Sequence, residues 1–473
     1  MNLKHFKTSI IFDGGVASGV SGRETGLTRL EMPPPSPASS EGSNGMVPIQ
    51  LDSGSVSRRD RPDELSLIVR YRGLVIMHTQ SDICVSIDIG CHNHSVAIGL
   101  ESGEVLDEFD IAHRPEGFDE FFKRIERQKS HFGGAVSVAM EGYNGYARPL
   151  DTLVKLKNYR LFNINNLKLA RFKEIFPSAA KTDPIDARKG LELFQLRDHL
   201  PLARDVLQEV VATPLENEQL KRLSRRRRAL VDEKTRVLSR FQTDLHATCP
   251  GLLSITGDAE NVWFLNLITA VDLLPKLTRL RKTTLLKLPA IGKKYAAIIC
   301  EWQKHTVFGH DVEWVSPMII EDAKRILELR AKIKSLESQC KTLIPSSQIA
   351  TLIDTLPGFS VVCSSELGGE IGTIDRFQKE GSLAVYLGMA NLDNSSGKKK
   401  GSKAAKHVNK RAKSAMMTGV DRHRKCVPES QTYYEKKRAE GKSHNQAIRS
   451  LGRHLCRIVY RMLKDNRAYE IRT

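Results

Sequence analysis

Lys181-Thr182-Asp183-Pro184-Ile185-Asp186-Ala187-Arg188 puts two carboxylates three residues apart at what reads as a helix start. Asp183 stands before Pro184, as an N-cap residue does before a proline in the first turn. On that reading Asp186 falls one turn on, on the same side of the helix start as Asp183. Carboxylates held that close repel each other, and a divalent cation is the usual reason for a fold to tolerate them. The spacing alone also suits an ordinary acidic helix start, where negative charge meets the helix dipole. The chain upstream shifts the balance, because two more isolated carboxylates end apolar strands.

Residues 84–90, 94–100 and 105–111 read as three short strands joined by tight polar turns, a meander. Residues 115–128 follow as an amphipathic helix with Phe118, Phe121, Phe122 and Ile125 on one face. A buried strand over 135–140 ends in Glu141-Gly142; a helix near 147–157, a strand at 160–164 and helices on either side of Lys181 complete the unit. Three antiparallel strands followed by alternating helix and strand predict an α/β ribonuclease-H-like domain over 81–200. Asp88 ends the first strand behind Val85 and Ile87, with Gly90 leaving room beside it, and Glu141 ends the fourth strand in the same way. Each alone reads as a strand-end surface residue. With Asp183 and Asp186 they make an Asp-Glu-Asp-Asp set, enough hard oxygen ligands for two Mg²⁺ (or Mn²⁺) ions. Such a site orients a phosphodiester and stabilises both the attacking and the leaving oxygen.

The 473 residues allow two or three domains with sizeable cores. No run of about 18 apolar residues offers a membrane span. The net charge is +18, and from Asn394 to Thr473 there are 22 Lys and Arg against 6 Asp and Glu, so +16 lies in the last 80 residues. So one-sided a field predicts a polyanion partner, most naturally nucleic acid. Eight cysteines (84, 91, 249, 300, 340, 363, 426 and 456) include no CxxC pair and read as reduced thiols of a cytoplasmic protein. Cys91-His92-Asn93-His94 is rejected as a metal cluster, because its ligands crowd one strand turn. Residues 1–80 mix Gly, Ser and Pro with 9 basic and 8 acidic side chains and too few recurring apolar positions for a core. They are predicted to be a disordered, dispensable extension, with Met77 a candidate start. They also lack the apolar stretch behind a basic start that marks a secretory signal.

Residues 201–350 are predicted to be mostly helical. Leu223, Leu230 and Val237 recur at seven, with Phe241 and Leu245 continuing the stripe, and Ile326, Leu329, Ile333, Leu336, Cys340 and Leu343 alternate by three and four. These are coiled-coil seams, which pair two long helices with each other or across a dimer. Arg225, Arg226, Arg227 and Arg228 form a basic block on the first seam, read here as a phosphate contact rather than a solvated face. Leu288-Pro289-Ala290-Ile291-Gly292 and Leu356-Pro357-Gly358-Phe359-Ser360 each precede an apolar helix. The second resembles a helix-hairpin-helix turn whose backbone N–H groups meet a phosphate, and a plain interhelical turn is equally consistent.

Seven phrases stand in order along the chain: Ile87-Asp88-Ile89-Gly90, Met140-Glu141-Gly142-Tyr143, Lys181 to Ala187, Leu356-Pro357-Gly358, Tyr386-Leu387-Gly388-Met389-Ala390, Ser396-Gly397 and Tyr433-Tyr434-x-x-Lys437-x-x-x-Gly441-Lys442. Together they resemble the DEDD transposases of the insertion-sequence "one-hundred-and-ten" family, the RNA-guided bridge recombinases of bacterial mobile elements. The resemblance covers roughly residues 83 to 465. It implies a Holliday-junction-resolvase-like catalytic domain, a helical coiled coil over 201–350 and a mainly helical C-terminal domain over 351–473 that supplies a nucleophilic serine. It also implies an element-encoded guide noncoding RNA pairing with target and donor DNA, and a homo-oligomer as the working unit.

The nucleophile carries over to Ser396, directly before Gly397, with Ser395 a competitor. A serine hydroxyl needs a base or metal to become a strong nucleophile, and set against the tetrad it could hold a broken strand as a phosphoserine. Apart from the family order, residues 394–401 would pass for a flexible basic loop. Lys398, Lys399, Lys400, Lys403 and Lys406 are expected to contact nucleic acid. Two departures bear on how the serine domain docks: Val408 stands where the family has a glycine before its asparagine, here Asn409, and the helix around Arg411-Ala412-Lys413 is altered. A structure-specific metal nuclease using the same carboxylates to activate water, or a relic that only binds nucleic acid, is the alternative.

Overall fold

The computed structural model describes residues 81–142, 145–175, 182–197, 199, 206–397, 401–405 and 408–470. The expectations for residues 1–80, Tyr143, Lys181, Lys398, Lys399, Lys400 and Lys406 lie outside the described residues. A mixed α/β sheet comes first and a mainly helical region follows it.

Strands β1 (Ser81–Ile89), β2 (Asn93–Leu100) and β3 (Val105–Ala112) form the antiparallel meander. Helix α1 (Pro115–Phe132) leads into β4 (Gly133–Glu141), which lies parallel to β1; helix α2 (Arg148–Leu156) leads into β5 (Arg160–Ile164), parallel to β4. After α3 (Asn166–Ile175) and α4 (Asp183–Gln195), the short β6 (Leu207–Glu209) closes the far edge antiparallel to β5. The order across the sheet is β3-β2-β1-β4-β5-β6. Alternation along the strands sends side chains to two faces. Ile83, Val85, Ile87, Val136, Val138 and Met140 join Phe118, Phe121, Phe122 and Ile125 of α1 on one face. Cys84, Ala139, Phe162 and Ile164 pack against Leu169 of α3 and Leu191 and Phe194 of α4 on the other. Phe121 and Ile125 are wholly buried, and each such side chain contributes about 1.5–3 kcal/mol by leaving water.

Two long helices dominate the rest, α5 (Leu215–Thr248) and, after the short helices α6 (Val262–Ile268) and α7 (Lys293–Trp302), α8 (Val312–Leu343). Both expected stripes face inward: Leu230, Val237, Phe241 and Leu245 share one core with Ile326, Leu329 and Ile333. The intervening stretch adds Trp263, Phe264 and Leu267 to that core, so the seam is part of a globular cluster. Then come α9 (Gln348–Asp354), α10 (Val361–Ile371), α11 (Glu380–Tyr386), the hairpin β7 (Asn391–Asp393) and β8 (Ser402–Ala404), and α12 (Lys410–Cys426), α13 (Pro428–Ala439) and α14 (His444–Lys464). Among the described residues no helix is long and apolar enough to cross a membrane. All eight cysteines are free.

The arginine block has an inward role. Arg225 grips the fully buried Glu370 of α10 with two hydrogen bonds of 2.7 and 2.9 Å, Arg228 reaches buried Glu366 at 2.8 Å, and Arg227 pairs with Glu337 of α8 at 2.7 Å. Arg226 is exposed. Glu370 also accepts from Asn409 Nδ2 at 2.7 Å, and Asn409 caps α12 by accepting from the Arg411 and Ala412 amides. Burial alone would raise the Glu370 carboxyl, but Arg225 and Asn409 hold it below its ordinary value. One buried carboxylate, Glu370, therefore ties α5 and α10 to the start of α12, beside the second α5–α10 pair of Arg228 with Glu366. Arg225→Ala is expected to cost about 3–5 kcal/mol in urea unfolding at neutral pH, because it leaves that charge buried and unmatched. Glu370→Gln should cost less, since Arg225 is partly exposed and can turn to water. Because Glu370 titrates below its ordinary value, the stability it supplies is present above about pH 4.5 and lost on acidification. The penalty of Arg225→Ala should shrink in the same window.

Candidate active site

Parallel pairing in register sets the strand ends side by side. Ser86 pairs with Ala139 and Ile87 with Met140, so Asp88 and Glu141 follow as the next residues of adjacent strands. Alternation puts both on the face covered by α4. That helix buries Ala187, Gly190, Leu191 and Phe194, and the same side carried one turn toward its start holds Asp183 and Asp186. Gly190 lets it dock closely: a Cβ there would collide with Ser86 Oγ, two residues before Asp88.

Asp88 senses the other three. Burial first, then the charges of Glu141, Asp183 and Asp186, push its carboxyl up to about 6, against a smaller opposing pull from Lys173. Lys173 was not read from the sequence. It lies on α3 one turn past buried Leu169, and its Nζ stands 2.9 Å from Asp186 Oδ2 and 3.7 Å from Glu141 Oε2. An ammonium thus bridges two members of the set and offsets part of the repulsion. Among the described residues no group of three or more His, Cys, Asp or Glu stands close enough together to hold a metal ion as it is. The structure corrects the helix start by one residue: extended Thr182 is the N-cap, and both Asp183 and Asp186 lie in the first turn. The rejected Cys91-His92-Asn93-His94 cluster resolves into a turn and the start of β2; buried His94 meets His113, Nε2 to Nδ1, at 2.9 Å.

Ser396 and Ser395 are both exposed in the β7–β8 hairpin, whose loop is closed by the Asn394 amide donating to the Gly401 carbonyl at 2.9 Å. Gly397 takes φ 56° with open space around it, a turn conformation that favours glycine. Lys403 is exposed on β8. The Leu356–Ser360 turn is packed on α12: Pro357 O lies 2.8 Å from His423 Nδ1, and a Cβ at Gly358, where φ is 85°, would strike the His423 backbone.

Comparison with known proteins follows the same two blocks. A family model described as "Transposase", of the IS110 DEDD type, matches residues 85–250, and a second described as "Transposase IS116/IS110/IS902 family" matches 350–435. The chain is 24% identical over 356 residues, 74% of its length and 86% of the relative's, to "Insertion element IS110 uncharacterized 43.6 kDa protein" of Streptomyces coelicolor. It is 25% identical over 307 residues, 63% of its length and 75% of the relative's, to "Insertion element IS116 uncharacterized 44.8 kDa protein" of Streptomyces clavuligerus. Over 149 residues, 31% of this chain and 37% of the relative, it is 29% identical to "Insertion element IS900 uncharacterized 42 kDa protein" of Mycobacterium paratuberculosis.

Proposed function

The chain belongs to the IS110 transposase family, and on that premise we propose that Asp88, Glu141, Asp183 and Asp186 of a ribonuclease-H-like domain, with Ser396 as nucleophile, cut and exchange DNA strands. The observation that carries the reading is the Asp88 carboxyl, held up to about 6 by burial and by the three other members of the set. Burial is the larger cause and the repulsion of the other three carboxylates adds to it, and a bound cation would offset both. The set also fits the ion by chemistry, since four hard carboxylate donors suit Mg²⁺ or Mn²⁺ and a lysine ammonium already bridges two of them.

Asp88, Glu141, Asp183 and Asp186 would hold the metal. Bound Mg²⁺ or Mn²⁺ supplies Lewis-acid charge at the scissile phosphate and at the oxygens that attack and leave it. Ser396 Oγ forms a bond to phosphorus as the bond to a sugar oxygen breaks, and one proton passes in effect from the serine to the departing oxygen. One phosphoester replaces another, no water is consumed, and the bond energy is conserved for rejoining. The +16 C-terminal segment, with exposed Lys403, supports contact with nucleic acid. A guide noncoding RNA and a homo-oligomer complete the reading.

Incubating the full-length protein with DNA spanning the element's ends tests it. Detergent-stable protein–DNA complexes should form with Mg²⁺ and vanish with a chelator. Nicked DNA with free ends and no covalent complex would instead make the protein a hydrolytic nuclease.

A further inference from the structure

The phrase Tyr433-x-x-x-Lys437-x-x-x-x-Lys442 has no role in the chemistry above, yet its side chains converge. With Arg449, Arg453 and His454 of α14 they line a cleft of about 520 Å³ whose wall also includes Met389 and Asn391, where the chain enters the serine hairpin. The charge there is unbalanced. Lys437 and Lys442 share the single carboxylate of Glu440 at 2.8 and 2.6 Å, and Arg453 and Arg457 share that of Glu380 at 2.9 and 3.2 Å. Arg449 has no ion pair among the described residues. Arg457 lies outside the cleft, so its lining carries four cations, Lys437, Lys442, Arg449 and Arg453, against the two carboxylates and is positive by about two charges.

Two further features point the same way. Arg453 Nη1 is buried without a hydrogen-bond partner among the described residues, an unmet donor of the kind a ligand oxygen satisfies. Burial first, then Arg457, Arg453 and Lys437, hold His454 below its ordinary pKa, so the ring is neutral and sits 3.0 Å from Tyr433 Oη. A cleft with several cations and one aromatic ring takes a phosphate with a base beside it.

We propose that this cleft holds a backbone phosphate and the adjoining base of a single DNA strand, anchoring it at the root of the Ser396 hairpin. The cleft as a nucleotide-phosphate site stands on its own geometry; that the strand is DNA rests on the serine reading, because a strand held beside the nucleophile is the one to be cut. Arg449 and Lys442 provide positive charge for the phosphate, and Tyr433 provides the ring for the base.

The test uses the full-length protein, a labelled single-stranded DNA oligonucleotide and its RNA counterpart, with binding followed by anisotropy from low to moderate KCl. Arg449→Gln and Lys442→Gln together should weaken DNA binding about tenfold and lower the slope of log Kd against log salt by one to two, with melting unchanged. Lys332→Gln on distant α8 controls for lost charge and should do neither. Unaltered DNA affinity and slope in the double variant would overturn the proposal. So would loss of RNA binding with DNA binding intact, which would assign the cleft to the guide. Failure of the wild type to form covalent complexes, with the binding loss as expected, would remove the serine reading and leave the phosphate site standing.

Discussion

Asp88→Asn is expected to lower cation-dependent strand cleavage on the order of 10³-fold, since one ligand of a Lewis-acid centre supplies several kcal/mol at the transition state. The same variant should raise the melting temperature of the chelator-treated protein at neutral pH. The two effects have opposite sign for one reason. With its pKa raised from 3.8 to about 6, Asp88 binds protons more tightly folded than unfolded, so stability falls as pH rises through that window. At neutral pH the wild type carries the whole penalty and the asparagine carries none; below about pH 4 both are neutral and the difference should close. Equal melting across the range, with cleavage retained, would leave Asp88 an ordinary strand end. A site that costs stability when empty and works when filled is the usual balance between fold and function.

How much of this was legible depended on how local the cause was. Five of the sheet's six strands were, because period-two alternation and tight turns are written within each strand; β6, three residues long at Leu207–Glu209, was not, and it carries the sheet past residue 200 into the stretch read as helical. Asp88, Glu141, Asp183 and Asp186 could be picked out as strand-end and helix-start carboxylates interrupting apolar runs. Lys173 could not. Its partners lie across a helix packing that no spacing in α3 reveals, although its place four residues after buried Leu169 shows which side it faces. The arginine block misled for the converse reason. Four like charges in a row suggest solvent or phosphate, while their partners Glu366 and Glu370 are 138 and 145 residues away from Arg228 and Arg225. The missed sign was there: two glutamates four apart inside the otherwise apolar and small α10 require buried counter-charges. Thr182 rather than Asp183 is the N-cap by its extended backbone, with no side-chain cap bond to mark the position, and boundaries of that kind move by one residue.

Ser396→Ala is expected to abolish covalent protein–DNA complexes while leaving DNA affinity within about twofold, because a single exposed neutral hydroxyl adds little beside a +16 segment. The neighbouring Ser395 makes the experiment discriminating. It is equally exposed, and the left-handed turn at Gly397 sits one residue nearer to Ser396. If Ser395→Ala alone removes the complexes, the assignment shifts by one position; if neither does and Asp88→Asn is inactive, the tetrad hydrolyses DNA with water. The hairpin follows α5 and α8 in the chain and the tetrad precedes them, so in an oligomer one subunit's serine could serve another's carboxylates. Mixing inactive Ser396→Ala with inactive Asp88→Asn protein separates the cases. Complexes restored by mixing, and carried on the Asp88→Asn chain, mean that the serine acts across subunits; none restored means that each chain supplies both halves of its own site.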